Sequence, residues 1–424
     1  MPNYGGLPRA NCRYVCLWDE SEFVNTQRIV IVGAGFAGMW SALAAARVLD
    51  MQKRSDVEVV LVAPLPELHV RPRLYEKAPG TMRVNLTALF DAVGVKFMQG
   101  LVETIDVQRQ EVVVKTTDQN TQLHYDRLVL AAGSKLFRPD IPGLTQHAFS
   151  VDQVDEAAAL EKHIQQLSDQ PDTEARRTLV VVGGGFTGIE TAAEMPARLR
   201  AALGEDAKVN VIIVERNGDI GPDLGPGPRP VIQKALADLG VTAVLGEGVV
   251  AIDEHGLVTS SGQRINASTI VWTAGARANE LTSQIPGERD AFGRLHVDQN
   301  LRVKAVPNIF ASGDVAHAAT DDQGNVAMMS CQHAMNLGRS AGNNVAADLL
   351  GLEPIPYSQP KYVTCLDLGP WGAVYTEGWE RSVKLEGAEA KALKHKINSE
   401  WIYPPKANRA EALASADPGR IVVA

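Results

Sequence analysis

Two glycine turns constrain this chain more than any other feature. Ile29-Val30-Ile31-Val32 runs into Gly33-Ala34-Gly35-Phe36-Ala37-Gly38, and Leu179-Val180-Val181-Val182 runs into Gly183-Gly184-Gly185-Phe186-Thr187-Gly188. Each is an apolar β-run, a G-x-G-x-x-G turn and then a helix-forming stretch. In such a turn the first glycine permits the tight bend, the second clears a side chain from a ligand's path, and the third lets helix and strand pack closely. The backbone N–H groups then face an anion at the helix N-terminus. One copy is a weak signal. Two copies about one domain apart predict two dinucleotide sites on one chain. A nicotinamide and a flavin held together imply hydride transfer between them.

The order of elements predicts an α/β fold with two Rossmann-like dinucleotide-binding domains. After the first turn come an alanine-rich helix around Trp40 to Leu49 and a buried-type strand, Val57 to Val62. Val112-Val113-Val114 and Tyr125 to Gly133 read as later strands of the same unit. The last ends in Ala132-Gly133, a turn at a strand's C-terminus where ligands sit in such folds. Ile270 to Gly275 repeats that pattern, and Asn308 to Asp314 is a further strand ending in Gly313-Asp314. The expected boundaries are an irregular extension over 1–27, a discontinuous first domain over 28–150 and 291–353, an inserted second domain over 151–290, and a small α+β cap with its tail over 354–424. The Gly/Pro-rich stretch Gly221 to Pro230 reads as a surface excursion.

Composition narrows the function. With 424 residues and 45% hydrophobic side chains, the chain has enough apolar material for two or three domains. Its net charge is −9 and it has no long basic run, which argues against nucleic acid. Cys12, Cys16, Cys331 and Cys365 are too few for a disulfide scaffold and fit a reducing compartment. No His/Cys cluster has metal-ligand spacing. No apolar run of about 18 residues predicts a transmembrane helix, and the N-terminus lacks the apolar core of a signal peptide. The expected location is cytoplasmic, with peripheral membrane contact left open.

These pieces in this order resemble the two-dinucleotide-binding flavoproteins that include the pyridine-nucleotide disulfide reductases. The closest likeness is to type II NADH dehydrogenases, single-subunit NADH:quinone oxidoreductases. Besides the glycine turns, it is carried by His69-Val70-Arg71-Pro72-Arg73-Leu74-Tyr75-Glu76, by Thr187-Gly188-Ile189-Glu190, and by Asp314 followed by Cys331-Gln332-His333-Ala334-Met335-Asn336. The resemblance implies a glutathione-reductase-like fold. It assigns FAD to Gly33, Gly35, Phe36, Ala37, Gly38, Arg73, Ala132, Gly133, Gly313 and Asp314, with Asp314 on the ribityl chain. It assigns NADH to Gly183, Gly185, Phe186, Thr187, Gly188, Glu215 and Gly275. Glu215 ends the second strand of its unit, where a carboxylate accepts from ribose hydroxyls and repels a 2′-phosphate. The adjacent Arg216 leaves NADPH open. Glu190 is implied beside the nicotinamide and Gln332 beside the acceptor.

Three departures stand out. The first unit reads Ala63-Pro64 where the family carries an acidic residue for the FAD ribose. The family's paired glutamines read Gln332 and Asn336 here. The tail from Lys391 lacks a long amphipathic membrane helix; Trp401-Ile402-Tyr403 is a short apolar island. A C-x-x-C or C-x-x-x-x-C redox pair is missing from the places where disulfide reductases carry one. Cys331 alone does not supply the separated pair of a sulfide:quinone reductase. The expected activity is an FAD-dependent NAD(P)H:acceptor oxidoreductase with a quinone-like acceptor and no redox-active disulfide. A ferredoxin- or rubredoxin-type reductase and a flavoprotein similar to apoptosis-inducing factors remain alternatives, and a homodimer is allowed.

Overall fold

The computed structural model describes residues 26–420. Cys12, Cys16 and almost all of the expected N-terminal extension lie outside the described residues. The apolar β-runs form two parallel sheets. The first has five strands in the order Ile309–Ala311, Arg127–Leu130, Gln27–Val32, Val57–Ala63 and Lys96–Gln99. The second has four: Val241–Leu245, Asn210–Glu215, Thr178–Val182 and Thr269–Trp272. Both faces of such sheets are covered, so their strands read as continuous apolar runs and not as alternating ones. Ile309–Ala311 joins the first sheet only after the whole second sheet has been laid down. The second unit therefore interrupts the first. The molecule is mixed α/β with two Rossmann-like cores.

The two units share one register. Val32 pairs with Val62 in the first sheet, and Val182 with Val214 in the second. The Gly33 N–H donates to the Val62 carbonyl at 2.8 Å, and the Gly183 N–H to the Val214 carbonyl at 2.9 Å. Each glycine turn thus hangs from the end of its central strand in the same way.

Val112-Val113-Val114 does not extend the first parallel sheet. It lies in Glu111–Lys115, the central strand of an antiparallel trio with Leu101–Asp106 and Asn120–His124. Val112 and Val114 are buried while Val113 is half-buried. This alternation marks a sheet with one covered face. A second trio, Val249–Asp253, Gly256–Thr259 and Arg264–Asn266, follows in the second unit.

The cap is a three-stranded antiparallel sheet, Val363–Asp367, Ala373–Glu377 and Ser382–Glu386, with helix Gly387–Lys396 packed on it. The apolar island of the tail turns inward: Ile402 is buried and Tyr403 OH bonds to Arg73. The Gly221 to Pro230 loop is not a free surface excursion. Leu224 is buried, and the Gly221 N–H donates to the Gly184 carbonyl at 2.8 Å. A Cβ on Gly227 would meet the Arg381 carbonyl oxygen at 2.5 Å. The loop is wedged between the second glycine turn and the cap because its prolines and glycines let the backbone approach that closely. No helix among the described residues is long and apolar enough to cross a membrane.

Helix Phe36–Met51 is buried along almost its full length between the first sheet and helix Cys331–Leu349. The two helices touch backbone to backbone. A Cβ on Gly338 would meet the Ala37 carbonyl oxygen at 2.6 Å and Trp40 Cβ at 2.8 Å, and one on Gly342 would overlap the Ser41 backbone. Gly342→Leu must therefore push the helices apart. It is expected to cost about 3 kcal/mol, read as a lowered urea midpoint with an unchanged slope.

Candidate functional site

The two glycine turns are the same object built twice. Gly33 and Gly183 have φ of 109° and 111°, a backbone conformation that only glycine adopts without strain. A Cβ on Gly38 would overlap the Gly33 carbonyl oxygen, and one on Gly188 the Gly183 carbonyl oxygen. The third glycine thus seats each helix directly on its strand end. A Cβ on Gly35 would meet nothing within 4 Å, and one on Gly185 would meet only Asp223 Oδ2, at 3.9 Å. The space in front of both helix N-termini is open. Phe36 and Phe186 begin those helices, with unpaired backbone N–H groups in the first turn. A helix N-terminus of this kind can receive an anion such as a pyrophosphate, and each turn forms a cradle in front of it.

The remaining walls of the first cradle come from distant segments. Ala132 and Gly133 follow strand Arg127–Leu130, and Gly133 has positive φ with open space where a Cβ would point. Gly313, also at positive φ, passes so close to the first helix that a Cβ would lie 2.7 Å from Ala37 Cβ. That approach brings Asp314 to the cradle. Asp314 Oδ2 accepts from the Ser134 hydroxyl at 2.7 Å, and Arg71 Nη1 lies 3.8 Å away. Arg71 is in turn held by the carboxylate and the carbonyl of Asp152. The structure places Arg71, and not Arg73, beside Asp314. The Arg73 guanidinium is taken by Glu76, at 2.7 Å, and by Tyr403.

In the second cradle, Glu215 points its carboxylate into the glycine turn. Oε2 accepts the Gly184 N–H at 2.6 Å, and Oε1 accepts the Asn217 N–H at 2.8 Å. Gly275, at positive φ, follows strand Thr269–Trp272.

A buried charge cluster stands at the start of the second helix. Glu190 is only 3% exposed, and its Oε1 accepts from Lys394 Nζ at 2.7 Å and from the Asp367 N–H at 3.0 Å. Lys394 Nζ also donates to the Cys365 carbonyl at 2.9 Å and lies 5.5 Å from the centre of the Phe186 ring. Asp367 accepts from Tyr75 OH at 3.1 Å and from Lys391 at 2.5 Å. Burial pushes the Glu190 carboxyl up to about 7, against the pull of the Lys394 ammonium. Cys331, first residue of its helix, feels Lys394, Asp314 and Glu190 together; burial pushes its thiol up to about 11. The two cradles and the cap meet electrostatically there.

A model of the pyridine nucleotide-disulphide oxidoreductases matches residues 27–338. The chain belongs to that family. An NADH dehydrogenase-like protein of Mycobacterium tuberculosis is 46% identical over 396 residues, covering 92% of this chain and 98% of that protein. A type II NADH:quinone oxidoreductase of Staphylococcus aureus is 25% identical over 394 residues, covering 89% and 95%. Among solved structures, NDH2 from Plasmodium falciparum in complex with NADH matches with a TM-score of 0.74 at 15% identity, over 92% of this chain and 97% of that one. At that identity the likeness speaks for the fold.

In this family member, Gln332 lies half-buried in the first turn of helix Cys331–Leu349, whose N-terminus Ser330 caps through the His333 N–H. Asn336 stands one turn on, and its Oδ1 accepts from Arg339 Nη1 at 3.1 Å. Arg339 is buried over the Trp40 ring, 3.8 Å from its centre, and donates to the Ser415 carbonyl. Sequence reading missed Lys394, Asp367 and Arg339. Lys394 sits in a short, strongly charged helix that reads as solvent-facing. Only the folding of the cap onto the second helix buries it.

Glu190 titrates at about 7 in the fold against 4.5 in a free chain. Its contribution to stability is therefore full below pH 4.5 and declines as pH rises through 7. Lys394→Met leaves the carboxyl buried without its cation, at a cost of ~3 kcal/mol at neutral pH. The urea midpoint of this variant is expected to fall between about pH 5 and about pH 8 more steeply than the parent's. Adding Glu190→Gln should flatten that dependence.

Proposed function

We propose that the chain is an FAD-dependent NADH:acceptor oxidoreductase whose acceptor is quinone-like. The observation that carries this reading is the duplicated cradle, two open anion sites on one chain with a buried charge cluster where they meet. The names of the relatives agree with it. The open space at Gly35, the first-turn N–H groups of helix Phe36–Met51 and the acceptor oxygens of Asp314 fit a flavin dinucleotide. FAD bound there would supply the hydride acceptor and the relay of two electrons.

The chain's own residues do the following. Gly33, Gly35 and Gly38, with Phe36 and Ala37, hold the pyrophosphate on backbone N–H groups. Asp314 has one carboxylate oxygen taken by Ser134 and keeps the other for hydroxyls of the ribityl chain. Ala132 and Gly133 leave room beside it. The positive dipole end of helix Cys331–Leu349 would favour negative charge on a group held at this cradle.

NADH takes the second cradle, Gly183, Gly185 and Gly188 with Phe186, Thr187 and Gly275. Glu215 keeps acceptor capacity beyond its three N–H donors, the Gly184 and Asn217 backbones and the Asn217 amide, because a carboxylate offers about four lone-pair sites. It would accept from ribose hydroxyls and repel a 2′-phosphate, which selects NADH over NADPH. Glu190, a carboxyl near its midpoint at neutral pH with an ammonium beside it, is suited to orient the nicotinamide amide and to hold a proton. Holding both rings in one site supplies proximity for the transfer. Gln332 offers its amide to a carbonyl oxygen of the acceptor. A quinone-like acceptor would bring the protein to a membrane surface peripherally, from the cytoplasmic side.

Anaerobic mixing with NADH is expected to bleach the oxidised flavin band, and reoxidation by a soluble quinone to restore it. An unbleached spectrum rules the proposal out. Glu215→Ala is expected to raise the KM for NADH about tenfold, the loss of a hydrogen bond to a charged group. The same change should narrow the preference over NADPH.

A further inference from the structure

The shared register of the two units identifies the residue that faces the ribose in each. Val62 and Val214 occupy matched positions, both pairing with the last residue of the central strand and both accepting the N–H of the first turn glycine. The next residue is Glu215 in the second unit and Ala63 in the first. The turns differ in step with this. Gly184 faces Glu215, and a Cβ there would come within 3.0 Å of Glu215 Cβ. The first unit carries Ala34 at that place, opposite Ala63, and both alanines are buried. A carboxylate with a glycine opposite it has become alanine with alanine opposite it.

Among the described residues, the acid next along the chain does not take over. Glu67, four residues on, belongs to a hairpin with Arg83–Asn85, and its carboxylate lies 3.4 Å from His69 Nε2 and 3.5 Å from Arg83. The rim after Ala63 is Pro64 and Leu65, both exposed, and the residue across the ladder is the neutral Gln99. This rim presents apolar side chains and one neutral amide, with no carboxylate among these residues.

We infer that the first cradle recognises its dinucleotide through the pyrophosphate and the flavin end alone, does not read the adenosine ribose, and therefore holds FAD as an exchangeable cofactor. This rests on the proposal that the first cradle takes FAD. The physical reason is that a carboxylate accepting from a ribose diol is the one sugar-specific contact such a turn provides. Its absence leaves the pyrophosphate and flavin-end contacts, which do not depend on the adenosine sugar.

The test compares FAD with its 2′-deoxyadenosine analogue, titrated into deflavinated full-length protein and followed by quenching of flavin fluorescence. The expected result is affinities within about twofold of each other, with bound FAD lost on repeated ultrafiltration. The variant Ala34→Gly/Ala63→Glu rebuilds the second unit's arrangement in the first. It is expected to bind FAD about tenfold more tightly, as hydrogen bonds to a charged acceptor allow, and to gain less than about threefold for the deoxy analogue, which keeps one hydroxyl. A parent protein that prefers FAD to the analogue tenfold overturns the inference while leaving the FAD site standing. A parent that binds neither flavin overturns the FAD assignment and the inference with it. The parent comparison decides the matter even where the double variant does not fold.

Discussion

The contact on which the rest depends is the seating of each helix on its strand through the third turn glycine. The carbonyl oxygen of Gly33 occupies the space that a side chain on Gly38 would need, and Gly183 does the same to Gly188. No larger residue permits that approach. It fixes the direction of the helix axis relative to the sheet and leaves the first-turn N–H groups pointing into open space. An N-terminus with nothing covering it is costly in an apo protein and useful only when an anion arrives. The molecule makes this arrangement twice, and everything else in the site is placed relative to those two helix ends.

The second helix pair is what ties the units to the cap. Helix Cys331–Leu349 lies against the first helix through Gly338 and Gly342, so its own N-terminus reaches the first cradle. Cys331 and Gln332 come to that place for this reason. The cap then closes over the second helix and brings Lys394 to Glu190. Burying two opposite charges is not in itself a source of stability, because desolvation consumes most of their attraction. Removing one partner of such a pair is what costs stability. The Glu190 carboxyl is pushed close to neutral pH by burial, where a small change in surroundings changes its protonation.

The duplicated design also makes the departures readable. Two sites built on one register differ at the ribose position, Ala63 against Glu215, and at the facing turn residue, Ala34 against Gly184. The pairing of these differences is a packing consequence, since the carboxylate side chain needs the space that a methyl group would fill. One half of the molecule therefore serves as the reference for the other.

Strand identity, turn position and the interruption of one unit by the other were all legible from residue order, because glycine's missing side chain and the periodicity of apolar runs are local properties. Val112 to Val114 reads as a strand, and only the fold makes it the middle of an antiparallel trio, since a short apolar run does not show whether one face or both will be covered. Glu215 closes a strand and Asp314 comes three residues after one, positions that can be counted from an apolar run. Arg71 and Arg73 are two residues apart and chemically alike, and only the tertiary neighbours decide between them: Asp152 and Asp314 for one, Glu76 and Tyr403 for the other. Lys394 carried no local signal at all. A lysine in a charged helix is ordinarily solvated, and it becomes part of a buried pair only when about two hundred residues of intervening chain fold to bring the cap against the second helix. The sequence alone thus determined the two anion cradles, whose geometry is written in backbone freedom. The tertiary structure alone decided which charges face each other between them, because burial and proximity are properties of the packed molecule.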